Sequence, residues 1–187
     1  TDPLKLQKQV DFMEHNPNVS ICSTYIQRLN GTNLTSVPMA QTPKFFDQIT
    51  MIKYNPVYTL TVLFKNTNPP IQNFAIYNFA DKALWRDLLT IGRGVVLPFS
   101  SGVYRIHGGG AYSSQSAITN QRKVVEDTLL FLSKEKNKGL RLAAFKIYTK
   151  YAFMAFLRLL TARGKGNLKQ IPLYLNAAWK SLRGRNL

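Results

Sequence analysis

The stretch VSICSTYI, residues Val19–Ile26, alternates apolar residues with small polar residues, and this alternation predicts a β-strand. A helix is predicted before it, because Asp2-Pro3 suits a helix start and apolar residues then recur at helical spacing. A second strand is predicted for YTLTVLF, residues Tyr58–Phe64, which is rich in β-branched and aromatic residues. Strand and helix patterns continue to mix along the chain, so the predicted fold class is α/β.

Apolar periodicity, glycine and proline divide the rest of the chain into further elements. The turn signal Asn30-Gly31 opens a predicted loop over residues 30–44. Gly92 closes a predicted helix at a C′ position. Two short strands, Gly94–Leu97 and Gly102–Ile106, are predicted to follow it. The predicted helices of this part cover residues 45–52, 80–91, 116–136, 140–161 and 171–182.

The composition of the 187-residue chain restricts the class of protein. With 45% hydrophobic residues it can bury a core, and one cysteine with two histidines gives neither a disulfide framework nor a structural zinc spacing. Lys and Arg number 25 against 9 Asp and Glu, a formal net charge of +16. Twelve of the cations follow Glu135, the last acidic residue. This block favours a polyanionic partner, namely nucleic acid, anionic lipid or a phosphorylated substrate; the alternative is a solvated face that confers solubility.

The basic part of the chain is predicted to be a helical extension. Its boundary falls near Asn137-Lys138-Gly139, which divides the chain into residues 1–136 and 137–187. At about 100° per residue, the predicted helix 140–161 has an apolar face and a basic face. The apolar face carries Phe145, Tyr148, Tyr151, Ala152, Ala155, Phe156 and Leu159, and the basic face carries Lys146, Lys150 and Arg158. Either the apolar face enters a membrane interface while the cations meet anionic lipid, or it packs on the domain.

The acidic residues are few enough for each to be informative. Glu126 and Asp127 lie beside Arg122 and Lys123 in a predicted helix, which indicates surface ion pairs. Asp81 stands among apolar residues at a predicted helix start, where the helix dipole favours a carboxylate. Asp81 is therefore either a first-turn capping residue or a general base that accepts a proton from an attacking hydroxyl.

His107 ends the predicted strand VYRIH and precedes three glycines, which let a ligand approach the backbone closely. A histidine in this position can bind a phosphate oxygen or a metal, or it can be held by the loop alone. Arg105 lies two residues earlier in the strand, so both side chains face the same way. Arg105 either assists phosphate binding or pairs with a carboxylate such as Asp81.

Four segments carry a resemblance to bacterial family 2 glycosyltransferases. Asp2–Glu14 (DPLKLQKQVDFME) is similar to the family's DPLKLQKQVDF(L/M)E segment. Thr59–Lys65 (TLTVLFK) resembles its T-x-T-V-M-F-R strand, and Ala80–Leu84 (ADKAL) stands where the family usually shows Gly-Asp-Trp-x-Leu. Val103–Gly110 (VYRIHGGG) is close to its VYR-x-H-x-GG ending. The four segments occur in the family's order and cover roughly residues 1–112.

The resemblance implies a GT-A type fold, a nucleotide-sugar donor and a divalent cation, Mg²⁺ or Mn²⁺. In the family, the metal-binding carboxylates lie just before the segment that Asp2–Glu14 matches. The chain is therefore expected to be an acceptor half that lacks the N-terminal half of the domain and is inactive alone. Asp81 matches the family's catalytic base. The candidate substrate-binding residues are Thr59, Thr61, Arg105 and His107, and His107 is also a candidate metal contact.

The implied reaction is an inverting sugar transfer. The acceptor hydroxyl attacks the anomeric carbon while Asp81 takes its proton, and a metal-bound diphosphate leaves. The expected acceptor is a saccharide or a lipid-linked saccharide in cell-surface polysaccharide synthesis, and no Gln-x-x-Arg-Trp motif points to a processive enzyme. The expected location is the inner face of the cytoplasmic membrane, to which the basic tail attaches peripherally.

Two other interpretations come from different classes of protein. The net charge and the scattered aromatic residues are compatible with a basic nucleic-acid-binding module. No RNP, helix-turn-helix, KH or zinc-finger pattern is visible, so no nucleic-acid partner is expected. The basic tail alone is compatible with a non-enzymatic membrane-associated protein.

Overall fold

The chain folds into a mixed α/β structure. The computed structural model describes residues 2–66, 74–109, 114–160 and 168–183. Gly110 of the glycine run lies outside the described residues, as do Arg163, Lys165 and Arg185 of the basic block that follows Glu135. The side chains of Arg158 and Leu159 also lie outside the description. The helices are α1 (Lys5–His15), α2 (Gln48–Lys53), α3 (Ala80–Leu88), α4 (Ala117–Lys134), α5 (Lys138–Leu160) and α6 (Gln170–Arg183), with 3-10 turns at Thr59–Thr61 and Phe74–Ile76. The strands are β1 (Val19–Asn30), β2 (Asn33–Ser36), β3 (Lys44–Phe46), β4 (Leu63–Phe64) and β5 (Arg93–Ile106).

The strands form one mixed sheet in the order β2-β1-β5-β3, and β4 pairs with β1. β1 and β5 run parallel, so their C-terminal ends meet at one edge, where Asn30 lies opposite Ile106. β2 returns antiparallel to β1 through the predicted turn, in which Gly31 has a φ of 59° that suits glycine. The predicted loop over residues 30–44 therefore contains a strand that its polar sequence does not reveal.

β5 is one long strand and not the two short strands that the sequence predicts. Thr24 lies opposite Leu97, whereas Ile26 lies opposite Gly102, so β5 accommodates extra residues in a bulge. Pro98 lies in this bulge, where the ladder does not need the N–H donor that proline lacks. The proline that separates the two predicted strands is thus tolerated inside a single strand.

The predicted strand Tyr58–Phe64 is wrong for most of its length. Residues Thr59–Thr61 form a 3-10 turn, and only Leu63 and Phe64 join the sheet. The Thr61 hydroxyl donates to the Tyr58 carbonyl oxygen at 2.9 Å. Side chains of this kind offer the backbone an alternative to a strand ladder, which explains why a β-branched sequence turns here.

The predicted helix over residues 45–52 begins later than expected. Residues Lys44–Phe46 form β3, and α2 begins at Gln48. Asp47 caps α2, because its carboxylate accepts the Thr50 amide at 2.8 Å.

Both faces of β1 and β5 are buried. On one face, Ile21 and Val96 pack with Met51 of α2 and Trp85 and Leu88 of α3. On the other face, Cys22 and Val95 pack with Met13 of α1. The central strands are therefore covered by α1 on one side and by α2 and α3 on the other, the layered arrangement of an α/β unit.

The chain divides into two compact units. The first comprises Thr1–Ile76 and Ala80–Ser114 and contains the sheet. The second comprises Tyr77–Phe79 and Gln115–Leu187 and contains α4, α5 and α6. The predicted boundary at residues 136 and 137 falls between α4 and α5, inside the second unit. That residues 1–136 form the glycosyltransferase-like part of the chain stays a prediction.

Asp127 holds the helical unit together and is not the surface residue that the sequence predicts. Its side chain is 2% exposed. Its two carboxylate oxygens accept the amides of Asn78 and Phe79, each at 2.9 Å, and one also accepts the Asn78 side-chain amide at 2.9 Å. The carboxylate therefore ties residues 77–79 to α4, whereas the neighbouring Glu126 is exposed, as predicted.

The outer surface of α5 and α6 carries several exposed apolar side chains. The inner surface is well packed, since Tyr148 and Tyr151 of α5 both contact the Tyr174 ring of α6. The exposed apolar residues of the two helices are Leu142, Phe153, Met154, Phe156, Leu157, Leu175, Trp179 and Leu182. In the described ranges, no helix combines the length and the apolar character needed to cross a bilayer.

Replacing Asp127 with alanine is expected to destabilise the helical unit by about 3 kcal/mol, because two backbone amides lose a charged acceptor. Unfolding in urea, followed by far-UV circular dichroism, measures the loss. Glu126→Ala is the matched control, since it removes the adjacent but exposed carboxylate, and its effect is expected to stay within about 0.5 kcal/mol. Equal effects of the two substitutions would contradict the role assigned to Asp127.

Candidate active site

Asp81 lies in the first turn of α3 and is bound to a residue of the Thr59–Thr61 turn. The Thr59 hydroxyl donates to Asp81 Oδ2 at 2.6 Å, and the Lys82 amide donates to Oδ1 at 2.8 Å. The Asp81 side chain is only partly buried, and Thr59 is exposed. A carboxylate offers about four lone-pair sites, so both oxygens can accept further hydrogen bonds from a ligand.

Thr61 fixes the turn that carries Thr59. Its side chain is fully buried, and its hydroxyl accepts the Thr24 amide at 3.2 Å and approaches Ser23 Oγ at 2.9 Å. The same hydroxyl donates to Tyr58, as described above. Because the protein satisfies this hydroxyl on several sides, we assign Thr61 a positioning role, whereas Thr59 is open to a ligand.

Gln9 of α1 holds the same turn from the other direction. Its side-chain amide donates to the Thr61 carbonyl oxygen and to the Cys22 carbonyl oxygen, each at 2.9 Å. Gln9 is fully buried, so these bonds form away from water. α1, β1 and the 3-10 turn are thereby joined at one point.

Gly102 lets the turn approach β5. A Cβ atom added at Gly102 would lie 2.2 Å from Cδ1 of Leu60 and 3.3 Å from Cγ2 of Thr61. The absence of a side chain at this position of β5 therefore makes room for the side chains of Leu60 and Thr61.

Arg105 and His107 lie at the far end of β5. In the strand register, Arg105 lies opposite Leu29 of β1. His107 follows Ile106, the last residue of β5, which lies opposite Asn30. Gly102, against which Leu60 of the turn lies, precedes Arg105 by three strand residues, or about 10 Å along β5. The side chains of Arg105 and His107 are exposed.

The structure therefore brings Asp81, Thr59 and Thr61 together, whereas Arg105 and His107 lie further along the chain, beyond Gly102, at the C-terminal end of β5. Among the residues that the structure describes, no ion pair joins Arg105 to Asp81, so the predicted alternative of a structural pair between these two is wrong.

Metal and thiol chemistry find little support in the described part of the chain. Within residues 2–66, 74–109, 114–160 and 168–183, no three His, Cys, Asp or Glu side chains are grouped so that they could hold a metal ion. The residues present therefore do not fit a complete divalent-cation site. Cys22 is fully buried, and burial raises the pKa of its thiol to about 11, which disfavours the reactive thiolate.

Comparisons with known proteins leave the family open. No family model matches the chain, and no curated protein matches it. The assignment therefore depends on the four sequence segments and on the geometry of the residues in them.

Sequence reasoning missed Gln9 and assigned Thr61 to substrate binding. Gln9 lies inside the segment DPLKLQKQ, where its neighbours are exposed, and nothing local distinguishes it from them. Thr61 was expected to contact substrate and is instead buried.

Thr61→Val keeps the shape of the side chain and removes its hydroxyl, which leaves the Thr24 amide without its acceptor. We expect a loss of about 2 kcal/mol in the free energy of unfolding, measured by urea titration. Thr61→Ser restores the hydroxyl and should recover most of this loss. Thr59→Val, the exposed control on the same turn, should change stability by less than about 0.5 kcal/mol. If Thr61→Val is as stable as Thr59→Val, the hydroxyl does not anchor the turn.

Proposed function

We propose that the chain is the acceptor-side part of an inverting family 2 glycosyltransferase of GT-A type, which transfers a sugar from a nucleotide-sugar donor to a saccharide hydroxyl. The observation that carries the proposal is a hydrogen-bonded series that runs through three of the four resembling segments. Gln9 belongs to the first segment, Thr59 and Thr61 to the second, and Asp81 to the third. The three segments are far apart in sequence, and their contact is what a shared active site requires.

Asp81 has the properties of a general base in this proposal. It is ionisable, partly open to solvent, and held in orientation by the Thr59 hydroxyl at 2.6 Å. A base that acts together with the departure of a good leaving group needs no unusual pKa.

The reaction balances with one base. A lone pair of the acceptor hydroxyl forms the new bond to the anomeric carbon, and the bond from that carbon to the diphosphate oxygen breaks. The diphosphate leaves with the bonding electrons, and the acceptor proton passes to the Asp81 carboxylate. The anomeric configuration inverts, since a single displacement occurs.

The donor side of the reaction is assigned to residues outside the described part of this chain. The divalent cation, Mg²⁺ or Mn²⁺, would neutralise charge on the diphosphate. The chain's own contribution is to orient the acceptor hydroxyl and take its proton, and Arg105 and His107 are candidates for contact with a phosphate group at the other end of β5.

Asp81→Asn, made in the full-length protein, keeps the shape of the side chain and removes its basicity. We expect turnover to fall at least about 100-fold, the scale typical of general-base removal, while donor binding changes little. Sugar transfer from a panel of nucleotide sugars measures turnover, and calorimetric titration with the active donor measures binding.

Asp87→Asn is the matched control for this substitution. Asp87 lies six residues later in the same helix, α3, and is expected to retain nearly full activity. If Asp81→Asn also retains most of its turnover, the base lies elsewhere and Asp81 only caps α3.

We also propose that the helical unit attaches peripherally to the cytoplasmic membrane face, where a lipid-linked acceptor would be found. The apolar face predicted to enter the membrane is largely occupied within the protein, because Tyr148, Ala152 and Ala155 are buried. These three residues therefore pack within the protein, which is the second of the two alternatives given for this face. The attachment surface is therefore assigned to the opposite face of α5.

That opposite face mixes apolar and basic side chains. At about 100° per residue, Phe153 and Leu157 lie in the same sector of α5 as Lys146 and Lys150, and Phe156 lies at the edge between this sector and the buried face. All five are exposed. Exposed aromatic residues beside cations are typical of helices that bind an anionic membrane surface.

α6 adds a second exposed stripe in the same unit. Leu175, Trp179 and Leu182 are spaced four and three residues apart and are exposed. The Arg183 guanidinium stacks on the Trp179 ring at 4.6 Å from its centroid. This pairing places an interfacial aromatic residue beside a cation, as the proposal needs.

Replacing Phe153 and Phe156 together with serine should weaken binding to vesicles of phosphatidylglycerol and phosphatidylcholine at least about tenfold, because each aromatic ring removed from the interface costs more than 1 kcal/mol. Vesicle cosedimentation measures the partition. Leu4→Ser with Leu6→Ser is the control, since both leucines are exposed but lie at the start of α1 in the sheet unit. Preference for single-stranded oligonucleotides over vesicles would contradict membrane attachment.

A further inference from the structure

A cavity of 390 Å³ lies in the sheet unit beside the C-terminal half of β1. Its walls come from β1, from the chain that follows it through β2, and from the segment that precedes the Thr59–Thr61 turn. The volume lies within the range of about 300–1,000 Å³ that is usual for small-molecule sites. The cavity is distinct from the Thr59–Asp81 pair, neither of which lines it.

The lining of the cavity combines cations with aromatic rings. Arg28 and Lys44 line it, and no acidic residue is among its lining residues. Tyr25, Tyr54 and Tyr58 also line it. Two cations without a neighbouring carboxylate favour an anionic group, and the tyrosines present flat apolar faces with hydroxyl groups at their edges.

One residue in the wall of the cavity is adjacent in sequence to the hydrogen-bond partner of the candidate base. Tyr58 forms part of its wall, and the next residue, Thr59, donates the hydrogen bond to Asp81. The Tyr58 carbonyl oxygen in turn accepts the Thr61 amide at 2.8 Å. A molecule seated against Tyr58 therefore contacts the residue next to Thr59, which is hydrogen-bonded to the candidate base.

We propose that this cavity binds an acidic saccharide, that is, a sugar bearing a carboxylate or a phosphate, as the acceptor. Arg28 and Lys44 bind the anionic group, and the tyrosines cover the apolar face of the sugar ring. Thr35 and Ser36 also line the cavity, and their side chains carry hydroxyl groups that can hydrogen-bond to a polyhydroxylated ligand. The inference rests on the proposed glycosyltransferase function and names the acceptor class for it.

The test measures binding by calorimetric titration of the full-length protein with four probes: trigalacturonate, galactose 6-phosphate, neutral maltotriose and uridine diphosphate. We expect trigalacturonate or galactose 6-phosphate to bind, and maltotriose to bind at least about tenfold more weakly, because a charge-assisted hydrogen bond is lost. Trigalacturonate alone would identify a carboxylate sugar, and galactose 6-phosphate alone would identify a phosphorylated sugar.

Arg28→Gln with Lys44→Gln should reduce binding of the preferred acidic probe at least about tenfold. Both residues are exposed, so the substitutions should not unfold the protein. The control is Lys5→Gln, which removes one cation on α1 outside the cavity and should leave the affinity unchanged. A pair of substitutions that leaves acidic-sugar binding intact overturns the proposal.

Two other results would also overturn it. One is equal binding of maltotriose and the acidic sugars, and the other is binding of uridine diphosphate that the Arg28→Gln, Lys44→Gln pair abolishes. Asp81→Asn separates this inference from the proposed function, since it should abolish turnover and leave acidic-sugar binding intact. If acidic sugars bind through Arg28 and Lys44 while Asp81→Asn remains active, the cavity assignment stands and the base assignment fails.

Discussion

The Thr61 hydroxyl is the contact through which the central sheet determines the geometry of the candidate site. It reaches the backbone of β1 at Thr24 and closes its own turn at Tyr58, so Thr59 is presented at a fixed point beside the sheet. A buried hydroxyl with satisfied partners is rigid, because leaving any one of them unpaired is costly. The neighbouring Thr24 hydroxyl, 2.5 Å from Ser101 Oγ, extends the same polar layer to β5.

Acidic residues are scarce in this chain, and three of them make specific hydrogen bonds to other parts of the protein. Asp127 accepts backbone amides in the helical unit, and Asp47 caps α2. Burial acts to raise the pKa of Asp47, but hydrogen bonds from the Thr50 amide and hydroxyl outweigh it and hold that pKa below its ordinary value. Asp81 differs from Asp127, because its carboxylate is only partly buried and keeps lone pairs open to solvent while Thr59 orients it.

The sequence predicts an element of the fold well where nearby residues determine it, and poorly where the determining contact comes from a distant part of the chain. The α/β class and helices α3 to α6 followed from periodicity, which reports the face that each helix buries. The Tyr58–Phe64 turn and the burial of Asp127 could not be read, because their partners lie 37 and 49 residues away in the sequence. The pairing of Thr59 with Asp81 spans 22 residues, and only the family resemblance singled out both residues beforehand.

The bulge in β5 has a consequence for how the chain tolerates changes in length. Cys22 lies opposite Val95 before the bulge and Leu29 lies opposite Arg105 after it, so β5 gains three residues on β1. Residues paired across a sheet point to the same face, so Arg105 shares the face of Leu29, and the three extra residues are absorbed inside the bulge. A residue lost or gained near Pro98 can be absorbed in the same way, while Arg105 keeps Leu29 as its neighbour. The bulge thus separates the length of the middle of β5 from the face that its C-terminal residues present.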